Sequence, residues 1–240
     1  MYMKKSTAAI VLCFALLTGI GHAAAPAPQG VEHGMVVSAH RLASEAGIEV
    51  LRRGGNAVDA AVATAYALAV TFPEAGNLGG GGFMLIRMAD GRETFIDFRE
   101  TAPLAATRDM YLDATGKPDP LRSTRGHLSA GVPGTVAGLE LAREKYGTRS
   151  RSELVAPALG LAAGGFVLDQ GDAEFLAEGA ADFLKDAPAS ATYLNKGRPY
   201  AAGERLVQGD LARMLRVIAK EGARGFYRGE PARLIVAGSH

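Results

Sequence analysis

An α+β fold, with helices packed about an antiparallel hairpin, follows from three observations on this 240-residue chain. The run "AVDAAVATAYALAV" places apolar residues at helical spacing on more than one face, the mark of a helix buried nearly all round. Two β-rich runs, Phe83 to Met88 and Thr94 to Phe98, flank Asp90-Gly91, a dipeptide favoured in tight hairpin turns. Beyond them the chain reads as a succession of amphipathic helices. A 48% hydrophobic content in 240 residues supports one sizeable core.

Taken in order, "MVVSAH" predicts a short β-like run ending at Ser38, which is placed to cap "AHRLASEAGIEVLRR". Leu42, Ala46 and Val50 form the apolar face of that helix, and Gly54 and Gly55 end it. Asn56 opens the buried helix, with Asp59 three residues on completing a capping box. After the hairpin, a helix starts near Pro133, and Gly134 and Gly138 allow it close approach to a neighbour. "SELVAPALGLAAGG", "GDAEFLAEGAADFLKD" and "QGDLARMLRVIAKEG" follow as helices capped by Ser152, Asp172 and Asp210. A last helix begins in "GARGFYRGEPARLIVAGSH".

Between the buried helix and the hairpin lies "GNLGGGGFMLIR", with four consecutive glycines. Phosphate-binding loops run from strand through glycines to helix, because a helix N-terminus turns its free N–H groups toward the anion. Here the order is reversed: the loop leaves a helix C-terminus, and no Gly-Lys-Ser/Thr ending follows. The sequence speaks against a nucleotide site. The glycines read instead as scaffold, a bare turn from a buried helix into a packed sheet.

Lys4 and Lys5 ahead of "AAIVLCFALLTGI" predict an export signal over residues 1–23, cleaved after Ala23, with a Pro/Ala spacer over 24–33 and the main domain over 34–240. The apolar run is short for a bilayer span, so no stable membrane anchor is expected, and the predicted location is periplasmic or secreted. The single cysteine, Cys13, falls within the signal. The mature chain then has neither disulfides nor a cysteine nucleophile. A net charge of +1 gives no electrostatic case for nucleic acid.

His33, His40 and His127 show no metal-ligand spacing, and no metal or organic cofactor is implied. No Gly-x-Ser-x-Gly elbow supports a serine hydrolase. Arg99, in "IDFRE" just beyond the second strand, is the residue that stands out. Its guanidinium is a planar fork that grips a carboxylate through paired, charge-assisted hydrogen bonds. From position alone, a structural ion pair with Asp97 or Glu100 is the simpler account.

The string "GGNAVDAAVATAYALAVTFPEAGNLGGGGFMLIRMADGRETFIDFRETAP" resembles the N-terminal part of γ-glutamyltranspeptidases, also called glutathione hydrolases. "ATRDMYLD", "GHLSAGVPGTVAGLELAREKYGT" and "EGARGFYRG" continue the resemblance in the same order, from about Gly34 to Arg228. It implies an N-terminal-nucleophile hydrolase with an αββα sandwich, made as a precursor that cuts itself into a large and a small subunit. It further implies attack by the small subunit's new N-terminal threonine on a γ-glutamyl amide such as glutathione. The acyl-enzyme then passes its glutamyl group to water, an amino acid or a peptide. Arg99 matches the family arginine that binds the donor's α-carboxylate through a partly buried contact. Glu100 is the candidate to orient it.

On this resemblance the chain is expected to hold large-subunit helices and an inner-sheet hairpin, hence an incomplete sandwich, and to have no catalytic residue of its own. The processing threonine, the α-amine site and the oxyanion hole fall outside it. Its expected partners are the remainder of the large subunit and the small subunit. Alternatives are a cephalosporin or glutaryl acylase on the same scaffold, or a non-catalytic remnant.

Overall fold

The computed structural model describes residues 30–239. By its contacts the chain divides into residues 1–33 and 34–240, and the elements below belong to the second unit. The expected signal, with Lys4, Lys5 and Cys13, lies outside the described residues, as does most of the spacer.

Helix α1 (Arg41–Arg52) packs against α2 (Ala57–Thr71), which packs in turn on α5 (Arg151–Gly164), and α5 on α8 (Gly209–Arg228). Helix α4 (Thr135–Tyr146) lies against both α2 and α8. Tyr66, Val70, Leu139, Leu154, Leu215 and Ile218 are buried where these helices meet. As the sequence predicts, α2 is enclosed almost completely, with only Ala57 and Ala61 exposed. Its Asn56–Asp59 capping box is present in both directions.

Strands β1 (Phe83–Arg87) and β2 (Glu93–Asp97) form the antiparallel hairpin, pairing Phe83 with Asp97 and Leu85 with Phe95. Gly91 supplies the positive φ of its turn, at 86°. Ile86 and Ile96 point into the core, while Phe83 and Phe95 stack on the open face with ring centroids 5.7 Å apart. A long, mostly exposed segment then carries the short helix α3 (Pro120–Thr124) and a 3₁₀ turn, His127–Ser129, before α4. Later come β3 (Phe166–Val167), α6 (Gln170–Phe183), α7 (Ala187–Tyr193), β4 (Arg205–Leu206) and α9 (Glu230–Gly238). Strands β3 and β4 pair as a second, two-residue ladder.

Several sequence expectations shift in register. "MVVSAH" forms no strand, because no described segment pairs with it. The cap of α1 is His40, whose Nδ1 accepts from the Leu42 N–H at 3.2 Å, while Ser38 bonds to the His40 carbonyl. Helices α5 and α6 are capped by Ser150 and Asp169 rather than Ser152 and Asp172. Asp172 instead occupies the third position of α6 and completes the box. Helix α8 starts at Gly209 after Gln208, so Asp210 lies inside it. At α5 and α6 neighbouring Ser or Asp residues offer two capping registers and the path of the preceding chain selects one, whereas α8 follows Gln208 with no side-chain cap.

Helix α8 breaks at Gly222, whose φ of 62° and ψ of −149° suit glycine alone. The break lets Gly222 sit against a partly buried triad in which Glu140 of α4 accepts from Arg143 and Arg151. Glu140 is 6% exposed, so both guanidinium partners are needed to offset its desolvation. Burial, reinforced by the nearby Glu140 charge, pushes the Tyr66 hydroxyl well above the usual tyrosine range.

Candidate functional site

Arg99 stands just past the end of β2, in a segment fixed by its backbone on both sides. Upstream, Phe98 and Gly82 exchange two hydrogen bonds, at 3.0 and 3.3 Å, which extend the hairpin ladder by one pair. Downstream, Thr101 and Val132 do the same, at 2.8 and 3.3 Å, as an isolated antiparallel bridge. Between these pairings the Arg99 N–H donates to Asp97 Oδ1 at 2.9 Å, a short side-chain turn that sets the local bend.

Glycines line this segment where other residues would collide with its backbone. A Cβ at Gly81 would fall 2.6 Å from the Phe98 carbonyl oxygen and 2.8 Å from the Arg99 Cα. One at Gly134 would overlap the Phe98 carbonyl, one at Gly138 the Phe98 ring, and one at Gly131 would meet the Glu100 Cβ at 2.8 Å. The close approach expected of Gly134 and Gly138 is therefore made to Phe98, the residue directly before Arg99. The glycine loop is the opposite wall of the same slot.

The two walls are tied together. The Gly80 carbonyl accepts from the Gly134 N–H at 2.7 Å and the Thr135 N–H at 3.0 Å, so it satisfies the first free donors of α4. Asn77 Oδ1 accepts from the Gly80 N–H at 2.9 Å and from the Thr135 hydroxyl at 2.5 Å. Behind the slot, the Tyr227 hydroxyl donates to the Pro133 carbonyl at 2.9 Å and accepts from the Ala137 N–H. Helix α8 thereby braces the start of α4. Sequence reasoning missed Asn77, Thr135 and Tyr227 because each acts on a residue distant in the chain.

With the described residues alone, the Arg99 side chain is 69% exposed. Among them, Glu100 is the one carboxylate within 4 Å, with Oε2 at 3.7 Å from Nε. That separation is an ion pair but exceeds a hydrogen bond. Asp97 Oδ1 accepts from the Arg99 N–H instead and forms no ion pair with the Arg99 guanidinium. The fork thus keeps donors free to receive a second carboxylate. The histidines lie elsewhere: His40 caps α1, with Nε2 3.4 Å from Asp172, and His127 is exposed in the 3₁₀ turn. Among the described residues no His/Cys/Asp/Glu group could hold a metal ion, and no helix is long and apolar enough to cross a membrane.

The sequence profile described as Gamma-glutamyltranspeptidase matches residues 43–240. The chain belongs to the γ-glutamyltranspeptidase family. It is 59% identical to the glutathione hydrolase proenzyme of Pseudomonas sp. strain A14, across 90% of this chain and 38% of that proenzyme. The crystal structure of Helicobacter pylori γ-glutamyltranspeptidase superposes with a TM-score of 0.84 at 48% identity, covering 87% of this chain and 60% of that one. Acylase ACY 1 proenzyme of Pseudomonas sp. strain V22 is 40% identical over 87% of this chain and 38% of its own length. The helical layer and hairpin are thus part of the N-terminal-nucleophile hydrolase sandwich of the γ-glutamyltranspeptidase family. This chain spans little more than a third of the curated relatives' length.

Proposed function

We propose that this chain is the N-terminal part of the large subunit of a glutathione hydrolase, a γ-glutamyltranspeptidase that is exported to the periplasm or secreted. Its contribution to the reaction is donor binding. Arg99 receives the α-carboxylate of a γ-glutamyl donor, and Glu100 holds the guanidinium plane. The nucleophilic threonine, supplied by the small subunit, then takes the γ-glutamyl group as an acyl-enzyme and passes it to water, an amino acid or a peptide. The supporting observation is the contrast within one residue: the Arg99 backbone is pinned by two flanking pairings, while its fork stays exposed beside one distant carboxylate. A rigid base beneath a free fork suits capture of a planar anion.

The acylase match keeps a second reading on the same scaffold, in which a glutaryl-type donor replaces the γ-glutamyl one. Steady-state turnover of γ-glutamyl-p-nitroanilide and of a glutaryl anilide by the whole self-processed enzyme separates the two. The expected result is preference for the γ-glutamyl donor, with Arg99→Lys raising its KM about tenfold or more. An unchanged KM in Arg99→Lys, with the variant processed normally, overturns the assignment of Arg99. A preference for the glutaryl donor favours the acylase reading.

A further inference from the structure

Resting on the reading of Arg99 as the donor-carboxylate residue, we infer that Asn77 and Thr135 are positioning residues for donor binding, a clasp that closes the glycine slot beneath Arg99. Gly81 and Gly134 press on the Phe98–Arg99 backbone from two directions, so the height and direction of the Arg99 fork follow the separation of these two walls. That separation is set by two bridges. One is purely main-chain, from the Gly80 carbonyl to the Gly134 and Thr135 N–H groups. The other depends on side chains, with Asn77 Oδ1 shared between the Gly80 N–H and the Thr135 hydroxyl.

The side-chain bridge is built for precision. Thr135 is buried, and the hydroxyl rotor of a buried residue held at 2.5 Å has little freedom. Asn77 is itself fixed from its other end, where Nδ2 donates to the Ala75 carbonyl at 3.0 Å. Both polar atoms of the Asn77 amide therefore have partners within the protein, which fix the plane of the amide. Neither residue reaches the Arg99 side chain. Their effect passes through the glycine walls to the Arg99 backbone, and a displacement of well under 1 Å there misaligns a bidentate contact.

The test compares variants of the whole self-processed enzyme on two donors. One is γ-glutamyl-p-nitroanilide. The other, 4-aminobutanoyl-p-nitroanilide, lacks the α-carboxylate and makes no demand on Arg99. Thr135→Val keeps the side-chain shape and removes the hydroxyl. The expected result is a rise in KM of about fivefold for the γ-glutamyl donor, with kcat within about twofold and kcat/KM for the truncated donor unchanged. Thr135→Ser, which restores the hydroxyl, restores KM.

Asn77→Ala gives the same donor-selective loss, and should it fail to fold or self-process, the Thr135 pair still decides. Equal losses on both donors make the clasp a general scaffold and overturn the inference. An unchanged KM in Thr135→Val alongside a raised KM in Arg99→Lys overturns it too, while sparing the role of Arg99. No effect of Arg99→Lys removes the donor-site reading itself, and the clasp's role with it.

Discussion

Asp59 and Arg99 are both charged residues at the end of an element, and the fold treats them in opposite ways. The Asp59 carboxylate is fully buried and accepts from the Asn56, Thr148 and Arg149 N–H groups and the Thr148 hydroxyl. Its whole valence is spent joining the start of α2 to the turn between α4 and α5. At Arg99 it is the backbone that is consumed, and the charge is left outward. A fully satisfied buried charge fixes how elements meet, whereas at Arg99 the fold fixes the chain and leaves the guanidinium exposed.

The largest effect is expected at Asp59. Asp59→Ala removes a helix cap and strands several buried donors, so the proenzyme should lose about 3 kcal/mol in chemical denaturation. Burial opposes the Asp59 charge, yet the Thr148 hydroxyl and the surrounding N–H groups hold its carboxyl below the ordinary 3.8. A depressed carboxylate stabilises the fold above the unfolded value, and that share is lost as pH falls through the folded one. Wild-type stability should therefore drop below about pH 4, and Asp59→Asn should flatten that part of the profile. A variant as stable as wild type, with the same acid limb, would erase the contrast with Arg99.

Gly134→Ala comes next, because its methyl group overlaps a main-chain oxygen that cannot swing away. A loss of about 2 kcal/mol is expected, together with a raised donor KM, since the same wall supports Arg99. Stability lost without any change in KM would separate the wall from the site. The smallest effect belongs to Glu100→Gln. An exposed pair at 3.7 Å is weak, and KM should move within about twofold. A tenfold change would show that Glu100 meets the donor itself rather than steadying Arg99.

Local chemistry explains what the sequence reveals. The α2 capping box, the Asp90-Gly91 hairpin and the buried character of α2 all follow from residues within a few positions of one another, where propensity and periodicity act directly. Arg99 stands out for the same reason, as a charged fork at the end of an apolar strand. The capping registers at Ser150, Asp169 and Gln208 are decided by how the preceding chain arrives, which short patterns do not encode. Strands β3 and β4 are two residues each, too short for any period to register. The slot is harder still to foresee: Asn77 and Thr135 are 58 positions apart, and their bond exists only once α4 has docked. The four glycines announce a close approach without naming the segment that fills it.

That separation also bears on the order in which the protein assembles. The hairpin forms from neighbours and can pair within microseconds, whereas closing the Asn77–Thr135 link must gather the exposed segment and α4 first, a non-local step that comes later. Arg99 is thus carried early on a nearly finished strand and receives its fixed stance late. Hydrogen exchange at the Gly80 and Thr135 amides during refolding would report the moment at which the segment carrying Arg99 is locked in place.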